Sequence, residues 1–424
     1  MTDNVKINPL SAASVPGLDK RYRTERNYRR VGMGAIVASL GFLAFLLISI
    51  SIQGYGSFIK TEILFQIEQQ WVDDTSVDGK PDSYALLRTT IRQTIPNISG
   101  RRDRREANGL VGANAEDALI STLAAIDQTT HYPIEVWLPA SDDVDMLVKN
   151  VKLENAASEQ VGLSEKQVGW IKDLGQQNRV RTSFNIGFLS NGDSRDAERA
   201  GVGGALLGSL FTLGICLLLS FFVGAFAAVY LEEFAPKNKL ISFIEVNINN
   251  LASVPSIIFG LLGLAIFLNS FGLPRSSSLV GGMVLALMTL PTIIIASRIS
   301  LQSVPPSIRE AAYGVGASTV QAVFHHVIPL ALPGMLTGTI LGMARALGET
   351  APLLMIGMVA FIADAPSGVL EPATALPVQV FLWSDSPERA FAEKTAGAIM
   401  VLIAFLIVMN LAAVLLRKKF EKKW

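Results

Sequence analysis

Six stretches of this chain are long and apolar enough to cross a bilayer, and no other property limits its fold as tightly. A backbone in hydrocarbon finds no water to bond with, so a spanning segment must be a helix or part of a closed barrel, and a helix needs about 20 residues. The stretches are Val31 to Ile52, Val202 to Tyr230, Leu240 to Asn269, Leu279 to Ser297, Gly334 to Ile362 and Ala396 to Leu416. Half of the 424 residues are hydrophobic and 17% are charged, too little charge to cover a soluble chain of this size. The formal net charge is zero and suggests no nucleic-acid partner. A single cysteine, Cys216, excludes an internal disulfide and a cysteine-rich metal site. Three scattered histidines, His131, His325 and His326, give no metal-dependent enzyme. The expected fold is an all-α polytopic membrane protein of six transmembrane helices with an inserted α+β domain.

Charge sets the orientation. Short flanks rich in Lys and Arg stay in the cytoplasm. KRYRTERNYRR, Lys20 to Arg30, precedes the first span, and RKKFEKKW, Arg417 to Trp424, follows the last. Six spans return the chain to its starting side, so both termini are expected in the cytoplasm of a bacterial cell. The loop Ala363 to Thr395 carries Asp364, Glu371, Asp385, Glu388 and Glu393, in keeping with the outside. The first apolar stretch exceeds the ~7–15 residues of a signal peptide and no A-x-A-like site follows it, so it reads as an uncleaved anchor. The expected divisions are a tail (1–30), the first helix (31–52), an extracytoplasmic insert (53–200), five further helices (201–416) and a basic tail (417–424).

Within the insert, Glu106 to Asp127 has Ala and Leu at helical spacing. Val180 to Leu189, VRTSFNIGFL, alternates like a strand and stops at the turn Asn191-Gly192-Asp193. RRDRR, Arg101 to Arg105, reads as a solvated loop before it reads as an anion contact. No catalytic constellation stands out.

Between the fourth and fifth stretches lies SVPPSIREAAYGVGASTVQAVFHHVIPLALPG, Ser303 to Gly334. Pro305 and Pro306 suit a helix start, where a missing N–H does no harm. A short helix is expected over Ile308 to Tyr313, with Gly314 and Gly316 permitting a sharp turn. Ser318 can cap a second helix through Val327, and Pro329 with Pro333 should break the chain before the next span. The result is a helix–turn–helix offering a knob rather than a pocket.

Glu310, Ala311, Ala312, Gly316, Ile328 and Pro329 stand in the register of the EAA loop, which this segment resembles, of ATP-binding-cassette importer permeases. His326 departs from the apolar residue usual two places before Ile328. The resemblance implies that those six residues dock on a separate ATPase subunit, which binds ATP and Mg. The chain itself has no G-x-x-x-x-G-K-[ST] phosphate loop, and GVGAST follows no strand. It is therefore expected to be a transport subunit rather than an enzyme, with no cofactor of its own.

LASVPSIIFGLLGLAIF, Leu251 to Phe267, and ARALGETAPLL, Ala344 to Leu354, are similar to phosphate-specific permease subunits of the PstA type. NGDSRDAERAG, Asn191 to Gly201, resembles a long form of that subunit with an N-terminal extension. The partners so implied are a second permease subunit, two ATPase subunits and an extracytoplasmic phosphate-binding protein. Arg345 and Glu349 lie four residues apart, on one face if the helix continues. A charge at mid-membrane costs roughly 2.5–3.5 kcal/mol on insertion scales, so that face should meet the bundle interior or a wet path. A guanidinium can grip two oxygens of an oxyanion, and Glu349 can neutralise it between anions; a permanent ion pair joining helices is the plainer reading. Asn249 and the three-spaced Asn250, Ser253 and Ser256 surround Pro255 and either line the same path or bond between helices. With Thr350, these residues make the expected pathway set: Arg345, Glu349, Thr350, Asn250, Ser253 and Ser256. Glu245 is expected near the cytoplasmic end of its span. Rival readings are an importer of phosphonate, molybdate or another solute, and a membrane sensor with an outer ligand-binding domain. What the insert binds does not follow from its residues.

Overall fold

The computed structural model describes residues 18–77, 80–96, 98, 100–124, 132–150, 162–359 and 361–420. His131 lies outside the described residues. The chain divides into two units, residues 1–53 and 54–424. The first unit is occupied by helix α1 (Leu18–Gly54), apolar on all sides beyond its basic start, as a helix immersed in lipid should be.

The insert opens the second unit. Strand β1 (Ile59–Ile67) is followed by α2 (Gln69–Asp74), a small hairpin of β2 (Ser76–Val77) and β3 (Lys80–Pro81), and helices α3 (Ser83–Thr94), α4 (Gly100–Asn108) and α5 (Ala115–Ala124). Then come β4 (Ile134–Pro139), α6 (Asp142–Asn150), α7 (Glu165–Gln176), β5 (Val180–Phe184) and α8 (Ile186–Ser190). β1 lies between β4 and β5 in an antiparallel sheet, and buried Ile63, Phe65 and Ile67 join Leu86, Ile91, Leu119 and Ile171 in its core. The α+β expectation holds, with three local corrections. The strand over Val180 to Leu189 stops at Phe184, because Asn185 accepts a hydrogen bond from the N–H of Phe188 (3.2 Å) and caps a short helix. The helix over Glu106 to Asp127 is two helices, separated where Val111 bridges to Ala140; residues 125–127 lie outside the described residues. Arg101 to Arg105 are helical rather than loop, seated by buried Asp103 and Ala107.

The membrane part follows: α9 (Gly203–Val229), α10 (Lys239–Ala252), α11 (Ser256–Gly263), α12 (Ser278–Gln302), α13 (Pro306–Gly314), α14 (Thr319–Ala322), α15 (Ile328–Leu347), α16 (Ala351–Met355), α17 (Leu376–Ser384) and α18 (Arg389–Phe420). Among the described residues five helices are long and apolar enough to span, and a sixth if the bent pair α10–α11 is one span. Burial runs opposite to a soluble helix. On α9 the buried residues include Gly204, Gly208, Thr212, Cys216, Ser220, Gly224 and Ala228, one every fourth position, while Leu218, Phe222 and Phe226 are exposed. Small residues let backbones approach, which is what holds helices together where lipid removes the hydrophobic drive. Helix α12 completes the seam: a Cβ on Gly282 would lie 2.6 Å from Cβ of Ile215.

The insert is fastened to the start of α18 by charge. Lys149 of α6 pairs with Asp145, reaches Glu393 at 3.1 Å and donates to the Gly56 carbonyl at 2.8 Å. Asp145 in turn accepts from the Thr61 N–H (2.7 Å), and the Asp142 N–H donates to Glu198 (3.1 Å). Burial first, then the nearby Glu198 carboxylate, pushes the Asp142 carboxyl up to about 8 from its ordinary 3.8. The fold therefore retains a proton there that an unfolded chain releases. That contribution is complete below about pH 4 and is lost as pH rises through about 8. Asp142→Asn should flatten the fall in thermal midpoint between acid pH and pH 8, as read by differential scanning fluorimetry of the detergent-purified protein.

Candidate functional site

The loop between α12 and α15 is built from the signals its sequence carries. Pro306 occupies the first turn of α13, and the helix closes with Gly316 at φ +88°. There the N–H groups of Gly316 and Ala317 bond back to the carbonyls of Tyr313 (2.9 Å) and Ala312 (3.0 Å). A residue with a Cβ is strained in that left-handed conformation, so the turn needs its glycine. Ser318 and Gln321 then form a reciprocal cap on α14. One expectation fails: Pro329 and Pro333 do not break the chain. Helix α14 runs through a π-helical turn at Val323–Val327 into α15, giving one continuous apolar helix from Thr319 to Leu347. The wider turn precedes Pro329 and accommodates its missing N–H, as local π adjustments do in membrane helices. Ile328 and Pro329 are thus the root of a span.

At the tip, Glu310, Ala311 and Gly316 are exposed, whereas Ala312 is buried and holds the loop together. Tyr313, Val315, Val320 and Phe324 also stand exposed there, Val315 by 86%. Sequence reading missed this apolar rim because no periodicity marks residues that straddle a turn. Below the tip, Arg309 is fully engaged. It meets Glu233 at 2.5 and 3.2 Å and donates to the carbonyls of Val304 (2.9 Å) and Leu301 (3.1 Å). Its pKa is raised, chiefly by the Glu233 hydrogen bond. Arg298 of α12 bonds Glu232 (3.3 Å) and Glu245 (2.8 Å).

The second feature is a pair of interrupted spans. The third apolar stretch is not straight: α10 and α11 meet at 103° across Ser253-Val254-Pro255. Pro255 supplies no N–H, and the Ser253 hydroxyl takes the Asn250 carbonyl at 2.7 Å. Asn250, Ser253 and Ser256 therefore share no single helix face; the first two are exposed and Ser256 is half-buried at the start of α11. The fifth stretch ends early as well. Helix α15 stops at Leu347 with Gly348 as cap, and α16 runs only from Ala351 to Met355 instead of reaching Ile362. The segments after the breaks, α11 and α16, touch: a Cβ on Gly260 would lie 2.7 Å from Cα of Pro352.

At the second break Arg345 sits in the last turn of α15, where a cation suits the helix dipole, and Glu349 lies just past the cap. Their closest approach is 3.6 Å, and the Arg345 side chain is 51% exposed. Among the described residues Arg345 makes no hydrogen bond and pairs only within its own segment, so this pair does not join helices. Beyond Glu349, its donors meet no partner among the described residues. Thr350 lies in the same break, half-buried. Irregular backbone inside a bilayer is tolerated where it is covered by protein or faces a water-filled cavity.

Residues 220–424 match the binding-protein-dependent transport system inner membrane component family. A probable ABC transporter permease, YqgI of Bacillus subtilis, is 30% identical over 257 residues, covering 57% of this chain and 86% of that protein. This chain belongs to the ABC transporter permease family. The phosphate transport system permease protein PstA 1 of Mycobacterium tuberculosis is 32% identical over 51% of the permease and 70% of its own length. The phosphate transport system permease protein PstC of Haemophilus influenzae is 30% identical over 51% and 76%. A solved inward-facing structure of the MetNI methionine ABC transporter is similar over 51% of the permease and 95% of that chain, at 17% identity and a TM-score of 0.41. Residues 16–157 match a domain of unknown function (DUF3333). The permease is a multi-pass membrane transport subunit. Gly260→Val should force α11 from α16 and cost about 1–3 kcal/mol, seen as a lower thermal midpoint; an unchanged midpoint would mean the two segments do not bear on each other.

Proposed function

We propose that this permease carries inorganic phosphate inward, powered by ATP that a partner ATPase hydrolyses. The observation that carries the reading is Arg345: a guanidinium with unfilled donors, beside Glu349, at a break in a spanning helix. An arginine fork matches an oxyanion edge, and the neighbouring carboxylate keeps the empty site neutral and the hold weak enough for release. The net charge of the pair selects no particular anion; phosphate is favoured because the relatives at 30–32% identity include phosphate transport permeases. Thr350, Asn250, Ser253 and Ser256 are assigned to the same path as hydrogen-bonding groups.

The remaining assignments follow from the loop. Glu310, Ala311 and Gly316, with the apolar rim of Val315 and Phe324, form the seat for the ATPase, and Ala312, Ile328 and Pro329 support it. That end of the bundle is cytoplasmic, as are both basic termini, and the insert lies outside. A second permease subunit would cover the exposed apolar residues of α10, among them Leu240, Phe243 and Val246. Two ATPase subunits, holding ATP and Mg, and an outer phosphate-binding protein complete the assembly. Binding-protein delivery loads the path, and closure of the ATPase pair drives the loops and reorients it.

Arg345→Gln should abolish phosphate uptake in proteoliposomes while leaving the co-purified subunits unchanged. Normal uptake by that variant would remove Arg345 from the path. Uptake of molybdate or phosphonate in preference to phosphate by the unaltered complex would replace the solute but keep the machine.

A further inference from the structure

The two arginines at the cytoplasmic end do different work. Arg309 carries the loop helix α13; its carboxylate partner Glu233 lies in the π-helical turn Tyr230–Phe234 that continues α9, and its carbonyl partners are Leu301 of α12 and Val304 just beyond it. Because α9 and α12 are already closed on each other by the small-residue seam, Arg309 makes α13, α9 and α12 one body. Arg298 leaves that body. One of its nitrogens holds Glu232 within it, and another reaches 2.8 Å across to Glu245 of α10. Within this chain α10 has little other hold: Ile241 is its one buried residue, and Leu240, Phe243 and Val246 belong to the face assigned above to the second subunit. Its far end is the break at Ser253-Val254-Pro255, where Pro255 supplies no N–H and the helix direction turns by 103°.

We propose that α10 is a lever and that the Arg298–Glu245 ion pair is its coupling pin, transmitting displacement of the ATPase-docking loop to the break in the solute path. Arg298 and Glu245 are positioning residues: they touch neither ATP nor solute. The inference rests on reading the loop as the force-receiving element. A partly buried charge-assisted bond four helical turns or fewer from a hinge can set the hinge angle, provided it is kept through the cycle.

The test uses the whole purified complex in proteoliposomes, with solute uptake and ATP hydrolysis measured on the same sample for Glu245→Gln, Arg298→Gln and the double variant. Glu245→Gln is the sharper of the two, since it leaves Arg298 on Glu232 and the body intact. Each single variant should lower uptake by about tenfold, within the usual range of a coupling between sites, while ATP hydrolysis and subunit composition stay at the unaltered level. The double variant should fall no further than the worse single, because both remove one bond. Arg298→Lys, which keeps the charge, should recover part of the uptake. Parallel loss of hydrolysis and uptake, additive losses in the double variant, or undiminished uptake would each overturn the lever. If Arg298→Gln fails to assemble, Glu245→Gln and Glu245→Asp decide the matter alone. The unaltered complex separates this proposal from the reading beneath it: no ATP-driven uptake by that complex would sink the transport assignment, whereas the lever fails only through the variants.

Discussion

The seam between α9 and α12 is the contact on which the rest of this molecule depends. Glycine, serine, threonine, alanine and the lone cysteine recur at every fourth position of α9; Thr212 meets Gly281 and Gly282 of α12, Cys216 meets Thr289, and Gly224 packs on Ile293. In lipid, apolar area gives no net reward for association, so close backbone approach and dispersion must supply it. The large side chains then turn outward, and the surface that looks misplaced for a soluble protein becomes the surface a bilayer or another subunit covers. With those two helices fixed, their ends become a platform. Glu232, Glu233, Arg298 and Arg309 assemble there because the seam brings their backbones within reach.

Against this post, the chain places its irregularities. A helix interrupted in hydrocarbon leaves backbone groups without partners, a cost of several kcal/mol for each group unless something replaces them. Here the replacements are local: the Ser253 hydroxyl at one break, and a capped helix end beside Arg345 at the other. The two segments that resume, α11 and α16, pack closely enough to exclude a side chain at Gly260. An interruption maintained in this way is consistent with a path that must open and close.

Much of this was legible in the residues. The presence of the apolar spans followed from their length, although the fifth runs over Thr319–Leu347 rather than Gly334–Ile362, and the loop's turn followed from Gly316 and the Ser318 cap. Arg345 and Glu349 stood out as charges that hydrocarbon does not tolerate idly. The breaks were not legible: the span around Pro255 read as one straight helix and is bent by 103°, while Pro329 and Pro333 marked a break that a π-helical turn removed. Proline reports a missing N–H, not what the neighbouring turn does about it. Arg298 and Arg309 were missed because their partners lie 53 to 76 residues away. Apolar residues on either side of a turn, Val315 and Phe324, have no common period to betray them.

The most direct measurement places a thiol at the tip of the loop, as Val315→Cys; the native Cys216 is buried in α9. In an assembly that is taking up solute, that thiol should crosslink to the nucleotide-hydrolysing subunit, and the crosslink yield should change when ATP is bound. An assembly that transports at full rate with the tip crosslinked to no such subunit would contradict the account.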